Sequence, residues 1–338
     1  MATYYGTYGQ KVQYLASDPS DPQIGQVWYN STSAVLKVRG VSTVGAWSAG
    51  GNYPTNIVNV AGAGTQTAGL AFGGATPPVT GATNTYNGTS WTTVPATMNT
   101  ARTNLAGCGT QTAALAAGGF STGNTGVSES YNGTSWTNTP SLNLARYALA
   151  GSNQGSNTAT IVFGGFNGSN PAPPSVFYTN TESFNGSSWT AVNALNTGRD
   201  SFGGAGTQTA ALAFAGELDQ SGNNTANTES WNGTSWTTVN SMNSAGYLGS
   251  GTGTQTAALG YYRVNYPTNT ISSIEQWNGT SWTNTTAMAT TRYGIGAVGT
   301  QSSALGIGGT PFPAGGLTNS TEEWNGPGTA TTRTVTVS

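Results

Sequence analysis

The sequence predicts an all-β fold: a six-bladed β-propeller with four-stranded blades over residues 45–338, preceded by a small β-hairpin within residues 1–44. Three observations carry this expectation. The hexapeptide Tyr-Asn-Gly-Thr-Ser-Trp and its near-copies recur along the chain, with the aromatic before Asn-Gly at Tyr86, Tyr131, Phe184, Trp231, Trp277 and Trp324. The intervals, 45, 53, 47, 46 and 47 residues, are those of a repeated supersecondary unit. Glycine and alanine crowd the first strand of each unit, as suits a position near a central axis where backbones approach closely.

The elements follow in order. Residues 18–40 read as a Pro/Asp-rich entry and then a hairpin, Gln-Val-Trp-Tyr-Asn, a Ser-Thr-Ser turn, and Ala-Val-Leu-Lys-Val. Trp47 stands at the same spacing from Gly73-Gly74 as Trp91 does from Gly118-Gly119, within one residue, yet no hairpin precedes it. Trp324-Asn325-Gly326, conversely, has no Trp strand after it. The segment around Trp47 is therefore expected to supply the outer strand of the sixth blade, closing the ring and removing a sheet edge. The alternating C-terminal Thr-Arg-Thr-Val-Thr-Val-Ser competes for the same slot. Within a unit, a glycine-rich first strand leads through a Gly-Thr-Gln-Thr type turn to an apolar strand that usually ends in Gly-Gly. A variable loop and a Thr-Glu-Ser-aromatic strand come next. Asn-Gly then predicts a type I′ turn into the strand headed by Trp91, Trp136, Trp189, Trp236 or Trp282. A two-residue loop makes Tyr86 and Trp91 diagonal neighbours and a four-residue loop pairs them directly; either register puts both rings on one face.

Composition excludes much chemistry. There is no histidine and a single cysteine, Cys108, which removes disulfides, Cys/His zinc sites and histidine-based nucleophile pairs. Neither a metal nor a cofactor is expected. Only 6% of residues are charged and the net charge is -2, so no nucleic-acid footprint is present. No run of about 18 apolar residues predicts membrane insertion, and the first residues lack the pattern of a secretory signal.

Among the charged residues, Arg102, Arg146, Arg199 and Arg292 follow their Trp by 10 or 11 positions, and Glu129, Glu182, Glu229 and Glu322 stand two residues before the hairpin aromatic. Their co-occurrence unit by unit predicts structural ion pairs within blades. The fifth unit keeps Glu275 but has Ala245-Gly246 in place of the arginine, with Arg263 as a substitute. Asp200, Glu217 and Asp219 are the acids of the repeats that do not themselves repeat, and a carboxylate pair for glycoside cleavage would be drawn from these three. The loops joining second and third strands vary freely, the usual layout of a recognition surface on a rigid scaffold. Their aromatic and cationic residues, Phe166, Phe177, Tyr178, Tyr261, Tyr262, Arg263 and Phe312, are the candidate ligand contacts.

On these residues the repeats resemble the kelch family of propellers: Gly118-Gly119 after a second strand, Tyr131 before a turn, Trp136 beyond it and Arg146 in the following connection. The aromatic-to-Trp interval is shorter than in typical kelch units. Residues 1–44 resemble short elements of bacteriophage tail-fibre and other virion proteins, the matching residues being Gly25, Val27, Trp28, Tyr29, Asn30, Ser31, Leu36, Lys37 and Val38. That resemblance implies a non-enzymatic virion protein (tail fibre, adhesin or decoration protein), made in the host cytoplasm and leaving by lysis. Residues 1–44 would bind other virion proteins, the loops would bind a cell-surface glycan or protein receptor, and a homo-oligomer is compatible with both. A bacterial extracellular lectin-like or filament-forming propeller and a glycan hydrolase are the alternatives.

Overall fold

The computed structural model describes residues 12–41, 44–168, 175–264, 272–327 and 330–335, and among these there are strands and turns but no helix. The chain divides into two compact units, residues 1–46 with 325–338, and residues 47–324.

The larger unit is propeller-like. Its first four-stranded sheet runs Ala61–Gly64, Gly69–Phe72, Thr83–Tyr86, Trp91–Val94 in spatial and chain order. Four more sheets of the same kind begin at Ala106–Thr110, Ala150–Gly151, Gly203–Gly206 and Gly246–Thr254. The sixth has the order Gly296–Gly299, Ser303–Ile307, Thr321–Asn325, Ala46–Ala49, so its outermost strand is the one carrying Trp47. Each innermost strand lies beside the innermost strand of the next sheet, and the sixth lies beside the first. Glycine in these strands allows the approach: a Cβ on Gly204 would sit 2.6 Å from the carbonyl oxygen of Gly151.

Apolar burial is distributed over junctions rather than gathered in one core. Six hydrophobic clusters each draw on two adjacent blades, and the one containing Val298, Leu305 and Ile307 with Ala71, Tyr86 and Trp91 joins the sixth to the first. The repeated hexapeptide serves these junctions. Tyr86 pairs directly with Trp91, and Tyr131 with Trp136, across a four-residue loop. The Asn-Gly turn is not type I′, because Gly88 has φ of +89° whereas Asn87 is absent from the positive-φ residues. Asn87 works through its side chain instead, its Oδ1 accepting from the N–H groups of Thr89 and Ser90 at 2.9 and 2.8 Å. Asparagine caps a turn this way without adopting a left-handed backbone.

The six ring pairs have centroids 4.8–5.4 Å apart, Trp47 and Trp324 forming the last of them. The outer-strand Trp also reaches back to the preceding blade. Trp136 meets Phe72, Trp236 meets Phe163 and Trp282 meets Phe214, with centroids 4.8–4.9 Å apart. Their indole N–H groups, and that of Trp91, donate to the hydroxyls of Thr83, Thr181, Thr228 and Thr321 at 2.9–3.0 Å. The glutamine of the Gly-Thr-Gln-Thr turn makes a second tie. Gln111 Nε2 donates to the carbonyls of Gly69 and Tyr86 at 3.0 and 2.7 Å, and Gln66 Nε2 to those of Ala304 and Trp324 at 3.1 and 2.8 Å.

The smaller unit is more than a hairpin. Val27–Asn30 and Val35–Val41 pair antiparallel, Gln13–Leu15 runs parallel to the former, and Ala330–Val335 pairs antiparallel with the latter. The C-terminal strand pairs within this sheet, and the outermost place of the sixth propeller sheet is held by the Trp47 strand. Asp18 knots this sheet: Trp28 Nε1 and Asn30 Nδ2 donate to its Oδ1 at 3.0 and 2.7 Å, and Lys37 Nζ lies 2.6 Å from Oδ2. These donors, Lys37 foremost, hold its carboxyl down at about 2.

Candidate functional site

The candidate site is built from the bottom of each blade connection upward. Asn59, Asn104, Ala148 and Ser201, just before innermost strands, and Leu248, at a register shift within the fifth, hold φ of 51–54°, and Gly294 completes the set at 64°. Left-handed backbone at alanine, serine and leucine is costly and persists only where surroundings over-determine it. Here a ring of backbone hydrogen bonds does so. Asn104 N donates to Asn59 O, Ala148 to Asn104, Ser201 to Ala148, Gly249 to Ser201, Gly294 to Leu248 and Asn59 to Gly294, at 2.7–3.5 Å. Six blades are stitched at one rim by six bonds.

A channel of about 120 Å3 runs inward from this rim between the glycine-rich strands. Its wall includes Asn153, in a loop that replaces the Gly-Thr-Gln-Thr turn of the third blade and shortens that blade's inner strand to Ala150–Gly151. Asn153 Nδ2 donates to the carbonyls of Gly204 and Gly251 at 3.1 and 2.5 Å, and Gln154 Nε2 to that of Gly299 at 2.8 Å. The loop therefore spans from the third blade to the fourth, fifth and sixth. It adds two residues to the long 53-residue interval in the repeat, most of whose excess lies between Gly165 and Phe184.

On the outer side of the rim lies a cavity of about 530 Å3, within the range of small-molecule sites. Its floor is the rim itself (Asn59, Asn104, Ala148, Ser201, Leu248), and its wall comes from the third and fourth blades: Tyr147, Phe166, Phe177, Asp200, Glu217 and Gln220. A repeated backbone feature places these side chains. The residue after the repeated arginine bridges, antiparallel, to the residue after Gly-Gly, or after Ala215-Gly216 in the fourth blade: Thr103 to Phe120, Tyr147 to Phe166, Asp200 to Glu217, and Tyr293 to Thr310. The backbone is the same each time and the side chains differ.

The rings form a continuous wall, Phe120–Tyr147, Tyr147–Phe166 and Phe166–Phe177, with centroids 5.5, 5.6 and 4.7 Å apart. Opposite in character is Asp200, only 6% exposed and with no hydrogen-bond partner on Oδ1. Burial, reinforced by the Glu217 charge, pushes its carboxyl up to about 7. Glu217 is also raised, by burial and then by Asp219, whereas Asp219 is lowered by its hydrogen bond from Asn223. Among the described residues no lysine or arginine lines the cavity.

Of the loop residues named from sequence, Phe166 and Phe177 line this cavity, while Tyr178 and Phe312, both half-buried, do not. Tyr261 is a correction. It pairs with Ile274 in the second strand of the fifth blade, is 3% exposed, and packs edge-on to Trp47 at 5.7 Å. That strand continues to Val264 without a Gly-Gly break, so Tyr261 occupies the position held by Phe214 in the fourth blade, a core position. The side chains of Tyr262 and Arg263 lie outside the described residues. Tyr147 and Gln220 were not singled out from sequence; the position directly after Arg146 was the available signal for Tyr147.

The arginines and glutamates stand away from the cavity. Arg102 meets Glu129 at 2.7 Å, Arg146 meets Glu182 at 2.5 Å, Arg199 meets Glu229 at 2.5 Å and Arg292 meets Glu322 at 3.0 Å, all within one blade and buried. Burial lowers the pKa of each guanidinium and the partner carboxylate opposes it. Backbone N–H groups complete the carboxylates, Asn99 to Glu129 at 2.6 Å and Asn143 to Glu182 at 2.7 Å among them. The first blade solves the same problem without charge: Tyr53 Oη and Asn84 Nδ2 are 2.5 Å apart. In the fifth blade, Glu275 accepts from Asn243 N–H and Nδ2 at 3.0 and 2.8 Å. Cys108 is buried and its thiol is pushed up to about 11, so it stays protonated. Among the described residues no cluster of three or more histidine, cysteine, aspartate or glutamate side chains could hold a metal.

No protein-family model and no curated protein sequence matches the chain.

Proposed function

We propose that the chain is a non-enzymatic recognition protein that displays the rim cavity and the loops between second and third strands to a host-surface glycan or protein receptor. The observation that supports this reading is the pairing of an unvarying backbone bridge with varying side chains around one rim, opening onto a cavity with an aromatic wall. Such a layout separates the scaffold from the contacts, which is how loop-borne binding sites are commonly organised.

The setting that fits best is a bacteriophage virion, with the chain as tail fibre, adhesin or decoration protein of kelch-like type. Residues 1–44 would join other virion proteins, and many copies per particle would multiply weak single contacts. The Trp28–Asp18–Lys37 knot gives that segment a defined sheet to present. Mass spectrometry and cryo-EM of purified particles test the setting: the chain in stoichiometric copies supports it, and recovery only in bacterial envelope fractions overturns it. Binding of the purified chain to host cells, lost when those cells are stripped of surface glycan, tests recognition itself; equal binding to stripped and intact cells redirects the reading to a protein receptor. The presence of Asp200 and Glu217 together in the cavity favours one second reading, glycan hydrolysis. Turnover of a labelled oligosaccharide, abolished in Asp200→Asn, would establish it.

A further inference from the structure

We propose that the rim cavity binds an amino sugar with a free ammonium group, its ring against the wall of Tyr147, Phe166 and Phe177 and its ammonium at Asp200 and Glu217. This rests on the reading of the rim as a recognition face and names the ligand class for it.

Among the described residues two carboxyl side chains line the cavity and no cationic side chain does, so an anionic ligand meets repulsion and a cation meets attraction strengthened by burial. Asp200 supplies the decisive detail: its side chain is only 6% exposed, yet Oδ1 has no partner in the folded chain. Such an atom carries a desolvation cost that a donor from outside would relieve. An N⁺–H donor does so best, because it also offsets the burial and the Glu217 charge that disfavour the ionised Asp200. A metal ion fits poorly, since among the described residues no third carboxylate, histidine or cysteine joins the two acids.

The rest of the wall selects the body that carries the ammonium. Tyr147 and Phe177, both half-buried, with Phe166 buried against the two of them, offer an apolar wall against which the C–H face of a sugar can stack, and their negative faces also favour a nearby cation. Asn59, Asn104, Ser201 and Gln220 ring the floor and side with amide and hydroxyl groups suited to sugar hydroxyls. Bare alkyl ammonium would leave these unused.

Calorimetric titration of the full chain tests the assignment, using a short glucosamine oligosaccharide, its fully N-acetylated form, a glucose oligosaccharide of the same length, and Nα-acetyl-lysine amide. The expected result is binding of the glucosamine oligosaccharide at least about tenfold tighter than the other three, lost by at least about tenfold in both Asp200→Asn and Glu217→Gln. Equal affinity for the acetylated or glucose form overturns the ammonium contact. Equal affinity for the lysine derivative overturns the sugar. No binding of any probe, or unchanged binding in either variant, overturns the site. The variants are also applied to host cells: glycan-dependent cell binding that survives both substitutions would leave the recognition reading standing while the amino-sugar site falls.

Discussion

Asp200 is where local chemistry departs most from the repeat. Its carboxyl titrates at about 7 in the folded chain against 3.8 for the free group. Below both values the acid is protonated whether the chain is folded or not. Between them the folded chain binds a proton that the unfolded chain has lost, so stability falls as pH rises through this window and is level above it. Asparagine imitates the neutral acid. Asp200→Asn should therefore match the parent at about pH 4 and exceed it at about pH 8 by on the order of 3 kcal/mol, read as a difference in urea midpoint. Tyr147, whose phenol is raised by burial and then by the Asp200 and Glu217 charges, would titrate more normally in the variant. At this scale the sequence was informative about identity and silent about surroundings: Asp200 and Glu217 stand out as non-repeating acids, but 17 positions separate them in the chain. Their backbone bridge, which makes them neighbours, depends on the fold.

Strands and junctions show where the repeat is strict and where it slips. At four junctions an indole N–H finds a threonine hydroxyl on the preceding blade; at the one between the second and third blades the acceptor position is Ser128, and neither Ser128 Oγ nor Trp189 Nε1 has a partner. Threonine's extra methyl restricts χ1 and would fix the hydroxyl where its counterparts point. Ser128→Thr should restore the bond and raise stability by about 1 kcal/mol, detectable as a higher midpoint in chemical unfolding. Most of this level was legible. Aromatic, Asn-Gly and Trp at fixed offsets announce a hairpin, and the periodic Trp announces a junction. The type I′ turn was misjudged because dipeptide preference registers the backbone option of asparagine and not its capping option, which wins when the loop is four residues long. The slip at Tyr261 has a similar origin: without Gly-Gly to mark the strand's end, nothing local fixes the register, whereas pairing with Ile274 does.

At the level of the ring, stability depends on closure, because the apolar clusters sit between blades and each blade needs two neighbours. Trp47 serves that closure, with its indole N–H donating to Thr286 O at 2.9 Å and its ring on Trp324 and Tyr261. Trp47→Ala should cost about 3 kcal/mol and, more tellingly, free the sixth blade to open before the others. Hydrogen exchange would show early loss of protection in Thr321–Asn325, whereas Trp136→Ala, at a junction inside the chain, should lower protection without that polarity. Closure by an N-terminal strand was legible from one unmatched Trp at each end of the array. The partition of the C-terminal strand into the smaller unit was not, since an alternating heptapeptide specifies a strand and leaves its partner open.

The loop carrying Asn153 and Gln154 gives the rim a direction. With amide side chains laid across to the fourth, fifth and sixth blades, it stoppers the passage beneath the rim. A molecule seated above would have no through-route and must back out the way it entered, so lengthening its outward end, rather than widening the bore, is the change to which residence time should respond.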